Sequence, residues 1–473
     1  MRTSAELSWA ARSGLFLKLY VHVPVAVQNV LCSLEGLRLR WQRFPPGFAA
    51  LLAETEARMQ WRAEQLAAHR LVRLRAMLVH AGRHVPHWRD TFAALRFAPE
   101  RLQHVDELEA LPVLTKDTIV REGERMRAER LPHGALREPI DAQTSGTTGG
   151  GLRFRMSLEA LREQWAVCWR YRRWHGLRER TWCGQLGGRL IVPVAEQSPP
   201  FHRINYAGRQ VLLSSFHLGP VTAEHYLREL VAREVPWIHG YTSMVAVLAD
   251  AAADLGVRLP ALRWVTIASE SLSASQRERI VRGFGVAPRQ HYAQTESIAN
   301  FSECPLGRLH VDEDHACVEF VPHLRDADGR MLYRVLGTSV TNWWQPFIRY
   351  DVGDLVALSD DSACACGRPG RLVQEIDGRR EDLVELASGA KVGRLNHVFN
   401  ALEFLRESQI RQARPGAIAI HVVPRAEWSE SHERRLLAEA HARLGSDMEV
   451  TIVRERQLPR SASGKLRLVV RED

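Results

Sequence analysis

Between Thr144 and Gly151 the run TSGTTGGG sets four glycines among the hydroxyls of Ser145, Thr147 and Thr148. Glycine lets backbone N–H groups converge on an anion with no Cβ in the way, and hydroxyls add donors to the same oxygens, so this loop has the chemistry to grip a polyphosphate. It is not a Walker loop, because Leu152 and Arg153 stand where that motif needs lysine and a hydroxyl residue. A plain turn between two strands accounts for the same composition. Cys304, His310, Cys364 and Cys366 form a second candidate group, a tetrahedral Cys3His zinc set if the fold joins two cysteine-bearing turns. The single residue between the cysteines of CACG is tighter than the usual spacing of about two to four. All four corners would be protein groups, so such a metal would brace a loop and not catalyse. His315 is the runner-up ligand, and Cys32, Cys168, Cys183 and Cys317 read as small buried apolar residues. A third candidate is Lys465, in PRSASGK. A solvated lysine is the ordinary state of such a loop residue. Of the 64 Lys and Arg residues, however, only Lys18, Lys116, Lys391 and Lys465 are lysines, so the choice of lysine there is informative.

The elements that must position these groups follow from length and pattern. At 473 residues the chain exceeds one ordinary core, and 45% hydrophobic with 25% charged residues describes a globular protein. The net charge of +9 comes from scattered arginines without a dense basic run, which ranks nucleic-acid binding low. Seven cysteines are too few for a disulfide framework, and no secretory signal is evident, so a reducing cytoplasm is expected. The apolar segment Gly14–Leu34 is interrupted by Lys18, His22, Pro24, Gln28 and Asn29, short of a membrane span; it reads as a packed helix–turn–helix, with membrane-surface contact as the residual reading.

Residues 48–80 carry helical periodicity, and LPVLTKDTIV leads into a helix capped by Thr115 or Asp117. After the glycine loop, helical segments (EALREQWAVCWRYRRWHGL, AEHYLRELVARE, MVAVLADAAADLG, SASQRERIVRGFG) alternate with strand-like ones (GGRLIVPV, WIHG, LRWVTIASE, VAPRQHYAQTES). That alternation predicts an α/β fold: a large N-terminal domain with parallel sheet layers and active residues at strand ends. Short β segments follow from Leu332, then a small α+β lid domain; the expected division is 1–378 and 379–473.

Taken in order, TSGTTGGG, HYAQTES, RYDVGD, DGRRED and LPRSASGK resemble the successive core motifs of the adenylate-forming superfamily of acyl- and aryl-CoA ligases, peptide-synthetase adenylation domains and luciferase. VPVAVQN and LPVLTKD resemble the branch containing phenylacetate–CoA ligase and capsular-polysaccharide-associated ligases. The resemblance implies that Ser145, Gly146, Thr147, Thr148 and Gly149 hold the ATP phosphates. Gly150 and Gly151 stand where a Lys-Pro pair is frequent, implying a looser grip. Glu296 would hold Mg²⁺, Thr295 would contact the α-phosphate, Tyr292 would lie against adenine, Asp354 and Arg379 would hold the ribose, and Lys465 would catalyse adenylation. Glu381, beside Asp382, occupies the hinge position usually held by aspartate. His239, Tyr241, Ala268 and Ser269 would wall the acid pocket, and the cysteine pattern would hold structural zinc. The implied activity is ATP-dependent formation of an acyl-adenylate from a small carboxylic acid and transfer to coenzyme A. Transfer to an amine or sugar hydroxyl in polysaccharide biosynthesis is the rival, and a non-catalytic nucleotide-binding scaffold a further one. The acid and the oligomeric state are not legible in the sequence, and a homodimer is left open.

Overall fold

The computed structural model describes residues 20–144, 152–189, 191–193, 195–219, 221–270, 272, 274–325, 330–377, 384–392, 395–399, 402, 404–424, 428–456, 458 and 469–471. Among the described residues five α-helices come first: α1 (Val25–Arg43), α2 (Phe48–Ala57), α3 (Ala63–His84), α4 (Pro86–Leu95) and α5 (Lys116–Glu122). Helix α1 begins directly after Pro24. The helix expected over 48–80 breaks after Ala57 into a 3-10 turn, Arg58–Gln60, which turns the Arg58 guanidinium inward to Glu163 at 3.1 Å. Thr115 is the cap of α5, its hydroxyl accepting from the Thr118 N–H at 3.2 Å.

Strands β1 (Ile140–Gln143) and β2 (Arg153–Met156) form an antiparallel hairpin, with Ile140 opposite Met156 and Gln143 opposite Arg153. Helix α6 (Leu158–Trp174) follows and ends where Gly176 takes φ +81° and the Leu177 N–H returns to the Arg172 carbonyl.

The main sheet contains β3 (Cys183–Gly187), β4 (His202–Asn205), β5 (Gln210–Ser214), β6 (Trp237–Gly240), β7 (Trp264–Ala268), β8 (Pro288–Ala293), β9 (Asn300–Glu303), β10 (Leu309–Val311), β11 (Ala316–Arg325), β12 (Met331–Ser339), β13 (Tyr350–Leu358) and β14 (Leu372–Asp377). Their spatial order is β11-β12-β13-β14-β10-β9-β8-β7-β6-β3-β5-β4. Pairing is parallel across β5, β3, β6, β7 and β8 and antiparallel on both sides of that block. The strand expected in GGRLIVPV is displaced: the ladder takes Cys183–Gly187, and Ile191 and Val192 instead bury as loop residues beside Tyr20, Cys32 and Leu212. Helices α7 (Ala223–Ala232), α8 (Thr242–Asp254) and α9 (Ala274–Phe284) make the crossovers. Their apolar faces meet Ile238, Val265 and Ile267, and each fully buried aliphatic side chain there contributes about 1.5–3 kcal/mol. A Cβ on Gly283 would strike the Ala249 carbonyl, so this glycine permits the close approach of α8 and α9.

At the end of the sheet, α1 lies along β4. The Asn29 side chain accepts the Ile204 N–H at 2.8 Å and the Ser33 hydroxyl accepts the Tyr206 N–H at 3.0 Å.

After β15 (Val384–Glu385), β16 (Lys391–Val392) and α10 (Asn396–Phe399), a smaller sheet has the order β19-β18-β17-β20, built from β17 (Leu405–Arg414), β18 (Ala417–Pro424), β19 (Glu449–Arg454) and β20 (Val469–Arg471). Helix α11 (Glu430–Leu444) buries Leu436, Ala440 and Leu444 in the core it shares with that sheet. The molecule is therefore mixed α/β, a large sheet followed by a smaller C-terminal one. The expected boundary at 378/379 lies outside the described residues.

Candidate functional site

Strand β8 runs from Pro288 into the turn Gln294–Ser297, and β13 carries Asp354. The fold joins them. The Tyr292 hydroxyl donates to Asp354 Oδ2 at 2.8 Å, and Gln294 Nε2 donates to the Tyr292 hydroxyl at 2.5 Å and to the same carboxylate at 3.2 Å. One face of Tyr292 stacks on Phe301, with centroids 4.5 Å apart, which fixes the ring. Glu296 is 9% exposed and Thr295 half-buried. Ser297, which closes HYAQTES, adopts φ +58° and Ser269, directly after β7, φ +74°, left-handed values that a serine adopts at a cost of about 1–3 kcal/mol each.

The hairpin β1–β2 flanks residues 145–151. The Thr144 N–H reaches the Leu152 carbonyl at 2.9 Å, and the Leu152 N–H reaches the Thr144 hydroxyl at 3.0 Å. Ala142, Phe154 and Met156 share a core with Phe301, so the loop's stem and the Tyr292 support rest on the same packing. Ser145, Gly146, Thr147, Thr148, Gly149, Arg379, Glu381, Asp382 and Lys465 lie outside the described residues.

Behind the Glu296 turn sits a buried ionic cluster that the sequence reading missed. Fully buried Arg170 donates to Asp312 at 2.7 Å and to Asp314 at 2.8 Å, while Glu163 accepts from Arg73 at 2.6 Å and from Arg58 at 3.1 Å. Burial pushes the Asp312 carboxyl up to about 6; burial acts on Asp314 too, but the Arg170 guanidinium more than offsets it and holds that carboxyl near 2. His315 belongs to this cluster, its Nε2 3.1 Å from the Ser297 hydroxyl, and burial lowers it to about 4. It is therefore no ligand of the cysteine group.

His239, Tyr241, Ala268 and Ser269 converge on a recess of about 30 Å³ at the ends of β3, β6 and β7. Register makes this so: Gln185, His239 and Thr266 are level across three parallel strands. His239 Nδ1 lies 2.9 Å from the Thr266 hydroxyl, and burial holds the imidazole well below its usual value, hence neutral at pH 7. Tyr241 is 7% exposed and belongs to the core around α8. His239 and Ala268 also border a larger cavity of about 510 Å³ between the sheet and helices α1, α2 and α6, within the range of small-ligand sites.

The ligand atoms of Cys304, His310, Cys364 and Cys366 all lie within 4.8 Å of one another. Cys304 Sγ is 3.9 Å from Cys364 Sγ, and Cys366 Sγ is 3.4 Å from His310 Nε2. A zinc tetrahedron with Zn–S near 2.3 Å has S···S edges of about 3.8 Å, so the geometry fits the ion. His310 Nδ1 lies 3.0 Å from the Pro369 carbonyl, the partner that leaves Nε2 as the metal-facing nitrogen. Gly307 and Gly367 take φ +77° and +73° in the two turns that present the cysteines. All seven cysteines are free, and Cys32, Cys168, Cys183 and Cys317 are buried. Among the described residues no helix is long and apolar enough to cross a membrane.

Residues 385–472 match the CapK C-terminal domain family. The chain is 21% identical over 461 residues to Protein CapK of Staphylococcus aureus, covering 96% of this chain and 98% of that protein. It is 28% identical over 245 residues to Phenylacetate-coenzyme A ligase of Thermus thermophilus, 44% of this chain and 54% of that one. Among solved structures it shares its fold with 2-hydroxyisobutyryl-CoA ligase at 18% identity, covering 88% of this chain and 91% of the other. The TM-score is 0.57 against the complex with 2-HIB-AMP and CoA in the thioesterification state and 0.52 against the postadenylation state with R3-HIB-AMP.

Proposed function

We propose that this chain, assigned by sequence and fold to the adenylate-forming superfamily on its phenylacetate–CoA ligase-like side, activates a carboxylic acid with ATP and passes the acyl group to coenzyme A. A carboxylate oxygen attacks the α-phosphorus, forming acyl-AMP as the bond to pyrophosphate breaks. The coenzyme A sulfur, having given up its proton, then attacks the acyl carbon, and the C–O bond to AMP breaks. The observation that carries this reading is the convergence of Tyr292, Gln294 and Asp354 from two motifs onto one carboxylate beside Glu296. A carboxylate suits two ribose hydroxyls, since it accepts two hydrogen bonds with charge assistance.

In this reading the loop 145–149 holds the β- and γ-phosphates, Thr295 the α-phosphate, Glu296 a Mg²⁺ that neutralises developing charge, Arg379 the ribose, and Lys465 follows the charge from carboxylate to α-phosphate. The division at 378/379, with Glu381 as hinge, lets the small domain turn between the two half-reactions. His239, Tyr241, Ala268 and Ser269 border the acid. The Cys3His group holds structural zinc.

The test is ATP–pyrophosphate exchange with Mg²⁺ across aryl, hydroxy and fatty acids, with thioester followed by mass spectrometry when coenzyme A is added. Exchange with thioester supports the ligase; exchange without thioester replaces coenzyme A by an amine or hydroxyl acceptor. Lys465→Ala is expected to lower exchange by about 100-fold or more while ATP still binds. Unchanged exchange in that variant removes the lysine's role.

A further inference from the structure

The 510 Å³ cavity has a feature that a pocket for a simple monocarboxylic acid does not need. Arg172, on α6, is 5% exposed and borders it. Its guanidinium carbon lies 4.7 Å from the ring centre of Trp169, 4.8 Å from Trp237 and 5.7 Å from Trp165. The flanking arginines have their acids: Arg170 pairs with Asp312 and Asp314, and Arg173 with Glu56 and Glu179. Arg172 pairs with no carboxylate among the described residues, and this sets it apart from Arg170 and Arg173, whose Nε atoms, like its own, are buried without a hydrogen-bond partner. Tryptophan faces stabilise a buried guanidinium but leave its N–H donors unsatisfied.

The rest of the wall does not supply the missing anion. Five further arginines border the cavity against one carboxylate, Glu179, which Arg173 holds at 2.5 Å. The two imidazoles are neutral at pH 7: burial first, and the Arg172 charge second, hold His239 well below its usual value and His291 near 3. Helix α6 also connects the cavity to the nucleotide motif, since the Gln164 amide donates to the Gln294 carbonyl at 2.5 Å. Arg172 lies eight residues further along, roughly 12 Å by helical rise. A ring or a chain of several carbons between two carboxyl groups covers roughly half of that span.

We propose that Arg172 sets the substrate class: the acid carries a second oxyanion, which the guanidinium takes inside the tryptophan cage while the first carboxylate faces the nucleotide. A planar fork binds carboxylate, sulfonate or phosphate bidentately, and the indole faces cover the apolar frame. The inference deepens the adenylation reading and relies on it only for which end reacts.

Matched acids separate the two. Benzoate against benzene-1,4-dicarboxylate, and hexanoate against hexanedioate, are titrated calorimetrically into wild type, Arg172→Met and Arg172→Lys without nucleotide, then assayed by ATP–pyrophosphate exchange. Wild type is expected to prefer a dianionic member by roughly 100-fold, Arg172→Met to lose that preference with monoanion binding unchanged, and Arg172→Lys to keep part of it. Lost dianion binding in Arg172→Met with no exchange for any acid overturns adenylation and leaves the anchor standing. Exchange in which wild type and Arg172→Met show the same dianion-to-monoanion preference overturns the anchor and leaves adenylation standing. Failure of every dianionic acid to bind wild type at millimolar concentration also overturns the anchor. If Arg172→Met does not fold, tryptophan emission of wild type decides: saturation with a preferred dianion must change it, and an unchanged spectrum overturns the proposal.

Discussion

Replacing Cys364 by serine takes one sulfur from the group it forms with Cys304, Cys366 and His310. Serine keeps the shape of the turn but is a poor ligand for zinc. The magnitude follows from chain separation: Cys304 and Cys364 stand 60 residues apart, and a cross-link closing a loop of that length restricts the unfolded chain by about 4 kcal/mol on chain-entropy grounds. Loss of the proposed metal is therefore expected to lower unfolding free energy by about that amount, and a chelator should reproduce the change in wild type. The assays are metal content by mass spectrometry and denaturant melts with and without chelator. Because protein groups would fill all four corners, exchange activity measured well below the melting range should survive within a few-fold. A wild type that purifies without metal and melts indifferently to chelator refutes the reasoning. So does a Cys364→Ser protein that melts like wild type but has lost exchange, since the group would then act on chemistry and not on the loop.

Two further substitutions probe the site and its support. Asp354→Asn keeps the shape that Tyr292 and Gln294 address but removes the charge; nucleotide affinity should fall by about 1.5–3 kcal/mol with little change in melting, and unaltered AMP binding in a titration counts against the ribose assignment. Asp314, held near 2 against an unfolded value of about 3.9, contributes its stability above that unfolded value and loses it as pH falls towards 2. The gap between wild type and Asp314→Asn, on the order of 2 kcal/mol at neutral pH, should thus shrink from about pH 4 downwards in urea melts; a gap that widens on acidification contradicts the Arg170 pairing.

Much of the scaffold was legible because its signals are local. The periodicity of α6, the strand-then-helix pattern of WIHGYTSMVAVLADAAADLG and the Thr115 cap depend on neighbours in sequence. The zinc candidates, in turns 60 residues apart, came instead from their rare residue types and from the family resemblance. The segment GGRLIVPV was misread because an apolar run looks alike whether it pairs as a strand or buries as a loop, and only packing beneath α1 decides that. Arg170 and Arg172 were lost in an arginine-rich background. A signal was present, for Trp165, Cys168, Trp169 and Arg172 recur at the spacing of one helix face, where an arginine is out of place. The junction of Tyr292 with Asp354 spans 62 residues, and no local pattern encodes it.

The contact between α1 and β4 bears on how molecules meet one another. A terminal strand offers a row of bare amides to any extended segment that drifts alongside, the starting point of strand-by-strand association. Asn29 and Ser33 occupy two of those amides, at Ile204 and Tyr206, and the close seat of Gly36 against Asn205 leaves no room for a foreign chain. Helix α1 is thus a stopper as well as a wall of the cavity. A shortened chain starting after Arg43 would not simply be less stable; it would carry an adhesive margin, and its failure would be seen as concentration-dependent polymer growth.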